Sequence, residues 1–204
     1  MRGGSSGRAE TDDVSATTGT SSTPSRRLCY QVASSLDGFI AAEDGSYDWI
    51  PMDPDIDFAA LFARFDTLVM GRKTYETMLA YEGGVTDGGV YGKPTVVFSR
   101  TLQPADHPRV RVTADDPAAV IAQLKREPGG DIWLFGGGLL FRQLADAGAV
   151  DRVELAVVPV LLGSGIPLLP KGSSLTLALR GHRTYEGSGT VLLEYDVLRA
   201  PPQT

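Results

Sequence analysis

The chain has 204 residues, 42% hydrophobic and 22% charged, with a formal net charge of −6. That balance suits a soluble globular chain with one good core, and its acidity argues against a broad nucleic-acid or anionic-membrane surface. A single cysteine, Cys29, excludes an intrachain disulfide and a Cys-rich metal site. With only His107 and His182 beside it, no metal is expected.

Residues 1–27 are rich in Ser, Thr and Gly, lack the apolar core of a signal peptide, and hold four Arg against three acids. They read as a disordered N-terminal tail, which leaves −7 on the remainder. The folded domain is expected over 28–199, with 200–204 as a C-terminal tail. No run approaches the ~18 apolar residues of a membrane span, and the cytoplasm follows as the default location.

Leu28–Ser34 reads as the first strand, closed by a Ser35-Leu36-Asp37-Gly38 turn, and Phe39-Ile40-Ala41 resumes the extended path. Cys29 reads as a small apolar filler of that strand. Asp53-Pro54 signals a helix start, a cap followed by proline at the first helical position. Ile56, Phe58, Leu61, Phe62 and Phe65 then fall along one face, with Asp57 at its edge. Thr67–Met70 is a buried strand that runs directly into Gly71-Arg72-Lys73-Thr74. Cations at a helix N-terminus oppose the dipole unless an anion sits among them, so a phosphate site is the favoured reading and solvated surface charge the plainer one.

Residues 81–92 read as a Gly-rich loop. Pro94–Phe98 is a third strand, ending at Ser99-Arg100-Thr101. Val110–Val112 reads as a short strand and Asp115–Glu127 as a helix. Asp131–Leu144 is the richest stretch: the apolar run Ile132–Phe135 passes through Gly136-Gly137-Gly138 into a helix with Leu139, Leu140, Phe141 and Leu144. Bare amides at such a junction attract phosphate, and absent Cβ atoms let a ligand lie on the backbone. A tight turn with close helix–strand packing is the plainer alternative. Arg152–Val160 is a further strand, Gly163–Pro167 a turn, and Leu175–Tyr185 with Thr190–Leu198 a closing hairpin. The apolar run Val153–Leu169 offers a homodimer surface, with a buried strand plus turn as the simpler account.

Strands alternating with helices and closed by a hairpin imply an α/β three-layer domain with a mixed sheet. Ligands bind off the carboxyl ends of such strands, where Gly71–Thr74, Ser99–Thr101 and Gly136–Leu140 all fall. An ordinary dinucleotide dehydrogenase is disfavoured, because no G-x-G-x-x-G follows the first strand.

The pieces VASSLDGFIA, DTLVMGRKTYE, PTVVFSRT and IWLFGGGLLFRQLADAGAVDRVELAVVPVLLGSGIPLL, in this order and followed by the hairpin, resemble the dihydrofolate reductase superfamily. The nearer branch is the C-terminal reductase domain of bacterial riboflavin-biosynthesis deaminase/reductases and its stand-alone relatives. The resemblance implies that family's α/β/α fold, with a mostly parallel sheet, and an NADPH site. It places Ala33 and Ile40 beside the nicotinamide. Gly71, Arg72, Lys73 and Thr74 would hold the pyrophosphate and part of the 2′-phosphate. Ser99 and Arg100 would hold the rest of that phosphate, and Gly136, Gly137, Gly138, Leu139 and Leu140 the pyrophosphate and nicotinamide side. A cis Gly136–Gly137 bond is implied as well. Two arginines, Arg72 and Arg100, favour NADPH over NADH.

By the same resemblance Asp57 is the catalytic carboxylate that orients a heterocycle, with Phe58 and Leu61 as apolar companions. A helix-start acid is the competing reading of Asp57. Asp37 is a turn former first and a substrate contact second, and Trp49 either covers the substrate or anchors its loop. Lys93 stands where dihydrofolate reductases keep a tail-clamping arginine, which a lysine does not reproduce. The tryptophan–proline loop pattern, the riboflavin branch's aspartate–proline motif and a deaminase zinc domain are all absent. The implied activity is NADPH-dependent hydride transfer to a C=N or C=O of a pterin- or aminopyrimidine-like heterocycle. The alternative is a non-catalytic nucleotide-binding or sensor protein on the same fold.

Overall fold

Leu68-Val69-Met70 and Ile132-Trp133-Leu134 are apolar at consecutive positions because both faces of their strands are covered. The computed structural model describes residues 26–81, 83–172 and 174–198. Its strands are β1 (Leu28–Ser35), β2 (Phe39–Ala41), β3 (Phe65–Gly71), β4 (Val85–Thr86), β5 (Gly89–Val90) and β6 (Thr95–Phe98). They continue with β7 (Arg111–Thr113), β8 (Asp131–Gly136), β9 (Arg152–Val158), β10 (Ile166–Pro167), β11 (Thr176–Tyr185) and β12 (Thr190–Leu198). The helices are α1 (Phe58–Ala63), α2 (Arg72–Ala80), α3 (Pro117–Leu124) and α4 (Gly138–Asp146).

Eight strands form one sheet in the order β11-β12-β9-β1-β8-β3-β6-β7. Every pair from β9 to β7 is parallel, while β12 runs antiparallel to β9 and β11. The mixed, mostly parallel sheet with an antiparallel hairpin is the expected one. Alternation along β3 divides the core: Val69 faces α3 and α4 with Val120, Ile121, Phe141 and Leu144, whereas Leu68 and Met70 face α2 and α1 with Tyr75 and Leu61. That split makes the three layers. Tyr30 of β1 stacks on Phe141 of α4 at 3.9 Å between ring centroids, fixing α4 over the sheet's centre.

Several boundaries differ from expectation. The helix signalled by Asp53-Pro54 starts instead at Phe58. Asp53 is buried, and its carboxylate accepts from the Asp55 N–H at 2.8 Å, so Asp-Pro there makes a turn rather than a cap. The Gly-rich loop contains the small β4–β5 hairpin, and the turn at 163–167 contains β10, which pairs with β2. The strand expected to reach Val160 ends at Val158, and the helix expected over 115–127 spans Pro117–Leu124. Within Val153–Leu169, Val153 and Val158 are buried and Leu161 is exposed.

The folded body also begins earlier than residue 28. Arg26 is buried, pairs with Asp66 and donates to the Gly130 carbonyl at 2.7 Å. Residues 1–25 and 199–204, which carry the rest of the two expected tails, lie outside the described residues. Cys29 is the strand filler expected of it. Burial, reinforced by the charge of Glu154, pushes its thiol pKa far up. Glu154 itself is buried and accepts both Nη atoms of Arg64, one of them at 3.0 Å, which ties the end of α1 to β9.

Candidate functional site

Adjacent parallel strands β3 and β8 both end in glycine and turn directly into helices. Gly71 and Gly137 occupy the N-cap positions of α2 and α4, and among the described residues neither helix receives a side-chain cap. The first amides of both helices therefore stay open to a ligand at the carboxyl edge of the sheet. The remaining helices differ: Asp57 accepts from the Ala60 N–H at 2.9 Å and Asp116 from the Ala119 N–H at 3.0 Å.

The two open junctions touch. A Cβ added at Gly136 would lie 3.1 Å from Thr74 Oγ1, and one at Gly137 3.4 Å from the same atom. Thr74 thus packs from the first turn of α2 onto the Gly136–Gly137 bond, which is cis as the resemblance implied. Among the described residues nothing lies within 4 Å of a Cβ built on Gly71, so that glycine leaves open space at the head of α2. Gly138 is different: a Cβ there would meet the Pro167 carbonyl oxygen at 2.8 Å, so packing alone requires it to be bare. At the end of the Gly136–Leu140 segment, Leu139 is exposed and the Leu140 side chain is buried in the core. Leu140 falls on the inward stripe of α4, one turn from Leu144, so only its main-chain amide faces the junction.

The third polar end adjoins the first. Ser99, after β6, accepts from the N–H groups of Thr101 and Leu102 at 3.2 and 3.1 Å. Its hydroxyl organises the turn that presents Arg100, whose side chain is exposed. Arg72 donates to Thr101 Oγ1 at 3.1 Å and lies 3.6 Å from Glu76, bridging the head of α2 and the end of β6. Lys73 is exposed beside it. Three cations from neighbouring strand ends therefore border two sets of open amides.

On the other side, Tyr30 of β1 pairs with Leu134, which puts Val32 level with Gly136 and half-buried Ala33 one residue beyond. Ile40, also half-buried, lies on β2. Asp37 between them is structural. Its carboxylate accepts from Ser35 Oγ at 2.6 Å and from the N–H groups of Leu162 and Gly163 at 3.1 and 2.7 Å. The Ser35 hydroxyl above all, and then those amides, hold its carboxyl below the usual carboxylate range. The turn-forming reading accounts for both oxygens of Asp37.

Asp57 heads α1, which runs into β3 and packs back against it. At about 1.5 Å per residue, the helix carries Asp57 roughly 9 Å from its far end toward the carboxyl edge. The carboxylate is exposed, and its Oδ2 has no protein partner among the described residues. Phe58 beside it is partly exposed, while Leu61 packs into the lower core. Trp49 is half-buried, with an indole N–H that is buried and unpartnered among the described residues. Lys93 donates to the Phe65 carbonyl at 2.7 Å, which turns it into the wall of the domain. Among the described residues, no three His, Cys, Asp or Glu side chains cluster to hold a metal, and no helix is long and apolar enough to cross a membrane.

Sequence reasoning missed an aromatic group over β8. Phe62, Tyr91, Trp133 and Phe135 meet edge-on or tilted, with centroids 5.0 to 5.9 Å apart. Tyr91 sits in a stretch read only as Gly-rich loop, where its sole signal was an aromatic between glycines.

A model of the RibD C-terminal domain family matches residues 26–192. The chain is 34% identical over 179 residues to the uncharacterised Bacillus subtilis protein YyaP, covering 83% of this chain and 94% of that one. A crystal structure of a Shewanella sp. PV-4 protein assigned to riboflavin biosynthesis is similar with a TM-score of 0.71 and 28% identity, over 85% of this chain and 99% of that one. The Thermotoga maritima diaminohydroxyphosphoribosylaminopyrimidine deaminase/5-amino-6-(5-phosphoribosylamino)uracil reductase shares the fold, with a TM-score of 0.61 at 17% identity, over 85% of this chain and 57% of that one.

Proposed function

The chain belongs to the RibD C-terminal domain family, and from that premise we propose that it is an NADPH-dependent reductase of a flat heterocycle, working in the cytoplasm. The observation that carries this reading is the pair of uncapped helix starts at Gly71 and Gly137, side by side at the carboxyl edge. Their open amides suit a pyrophosphate. Arg72, Lys73 and Arg100 suit the further phosphate that distinguishes NADPH from NADH. The residues present fit the cofactor, which when bound would supply the hydride.

The protein's share is then positioning and proton handling. Thr74 and Gly136–Gly137 shape the floor on which the cofactor's reactive ring would lie, with Ala33 and Ile40 at its side. Asp57 keeps one carboxylate oxygen on its helix and offers the other to a ring N–H of the substrate. A carboxylate so placed orients the heterocycle and assists protonation of the atom beside the one receiving hydride.

The deciding experiment is a titration with NADPH and with NADH, followed by tryptophan fluorescence. Trp133 and Trp49 are the reporters. Micromolar binding of NADPH with NADH at least about tenfold weaker is expected, since a charge-assisted phosphate contact contributes roughly 1.5–3 kcal/mol. Binding of neither would overturn the cofactor assignment. Tight NADPH binding without oxidation by any pterin, pyrimidine or flavin would favour a sensor on the same fold.

A further inference from the structure

Val90-Tyr91-Gly92-Lys93 is a tight turn closed by the Lys93 N–H on the Val90 carbonyl at 3.0 Å. Both central residues have positive φ, 51° at Tyr91 and 71° at Gly92. That is the φ pattern of a type I′ turn, whose first central position favours Asn, Asp or Gly. Tyr91 is the only non-glycine residue with positive φ among the described residues. A bulky side chain is locally disfavoured there, so the reason for the tyrosine lies in what its ring meets.

The ring stands edge-on to Phe62 of α1 at 5.1 Å and to Phe135 of β8 at 5.9 Å. Phe62 belongs to the helix headed by Asp57, and Phe135 immediately precedes Gly136–Gly137. Tyr91 therefore spans the two halves of the proposed site. The residue is 37% exposed, so it lies at the surface end of this aromatic group. Burial first, and then the neighbouring phenols of Tyr81 and Tyr47, push its hydroxyl pKa up, so this border is uncharged at neutral pH. The adjacent cation, Lys93, is turned away onto the Phe65 carbonyl.

We propose that Tyr91 is the specificity-determining wall of the substrate cleft. It bridges α1 and β8 so that a compact, flat heterocycle is accepted and one carrying a bulky p-aminobenzoylglutamate tail is refused. The proposal rests on the reductase reading of the same site.

Pterin and folic acid test it, because they share a fused ring and differ in an anionic p-aminobenzoylglutamate tail. Their dissociation constants are measured calorimetrically on wild type, Tyr91→Asn and Tyr91→Phe. Asparagine suits the turn, so Tyr91→Asn removes the ring and keeps the backbone. Wild type and Tyr91→Phe should bind pterin at least about tenfold tighter than folic acid, and Tyr91→Asn should narrow that ratio below about threefold by gaining affinity for folic acid. Equal affinities in wild type, an unchanged ratio in Tyr91→Asn, or binding of neither ligand by wild type would each overturn the proposal. NADPH titrated into the same samples separates the two readings. Loss of NADPH binding in wild type sinks the cofactor assignment, while the pterin-to-folate ratio judges Tyr91.

Discussion

Among the described residues, two of the four α-helices start on an aspartate and two on a bare glycine, and the difference separates groups that fold the chain from groups open to a ligand. Asp57 and Asp116 each accept from one amide at the heads of α1 and α3. Gly71 and Gly137 leave those of α2 and α4 without a side-chain cap among the described residues. Glycine at an N-cap forgoes roughly a few tenths of a kcal/mol against serine or aspartate, so each bare start gives up little stability and leaves its amides unfilled by a side chain. Position at the sheet's carboxyl edge is not the cause. α3 also starts there, after the edge strand β7, and it is capped. Among the described α-helices, the pair left open is the one that follows the adjacent inner strands β3 and β8.

The largest effect should come from the capped helix that also serves the proposed chemistry. Asparagine caps a helix about as well as aspartate, so Asp57→Asn should keep stability within about 0.5 kcal/mol. Turnover should fall on the order of 10²–10⁴-fold, the range for losing a positioned acid–base group. NADPH affinity should hold. Steady-state kinetics beside an NADPH titration reads both, and equal loss of binding and turnover would remove Asp57 from the catalytic role.

Next in size is the reverse exchange, which gives an open helix the cap it lacks. Gly71 has ordinary extended backbone, φ −83° and ψ 165°, and free space around a built Cβ. Gly71→Asp should therefore fold and cap α2 as Asp57 caps α1. Its carboxylate would occupy the amides proposed for the pyrophosphate. Like charges ~4 Å apart at an effective dielectric of ~20 repel by roughly 4 kcal/mol, so NADPH should weaken about 100-fold or more. Thermal stability should be unchanged or higher. A variant that binds NADPH normally would show that the head of α2 is not a phosphate site.

The open junctions were legible in the sequence because a buried strand running into glycine and then a helical repeat leaves few alternatives. Leu68-Val69-Met70-Gly71 and Leu134-Phe135-Gly136 both read that way. Asp53-Pro54 misled because a side chain that accepts from an amide two residues on serves a turn as well as a helix start, and only tertiary burial decides. Leu140 was legible as helical, but periodicity alone does not distinguish a core leucine from one lining a ligand. Tyr91 was hidden for the opposite reason: its role depends on contacts with Phe62 and Phe135, 29 and 44 positions away along the chain. The Arg64–Glu154 pair, formed across 90 positions, left no local signal either.

The smallest effect belongs to α3, the capped helix with no proposed ligand. Asp116→Ala removes the acceptor for the Ala119 N–H and should cost about 1 kcal/mol. The helix should persist, because Pro117 presets its first turn and Val120, Ile121 and Leu124 remain buried against the sheet. For a domain of this size that loss lowers the melting temperature by roughly 2–4 °C. NADPH affinity and turnover should not change, since the Asp116 carboxylate serves its own helix at the sheet's edge. Circular-dichroism melts and the NADPH titration together decide. If Asp116→Ala weakened NADPH as strongly as Gly71→Asp, the capped and bare helix starts would not divide folding from binding, and the phosphate site would have to extend to β7.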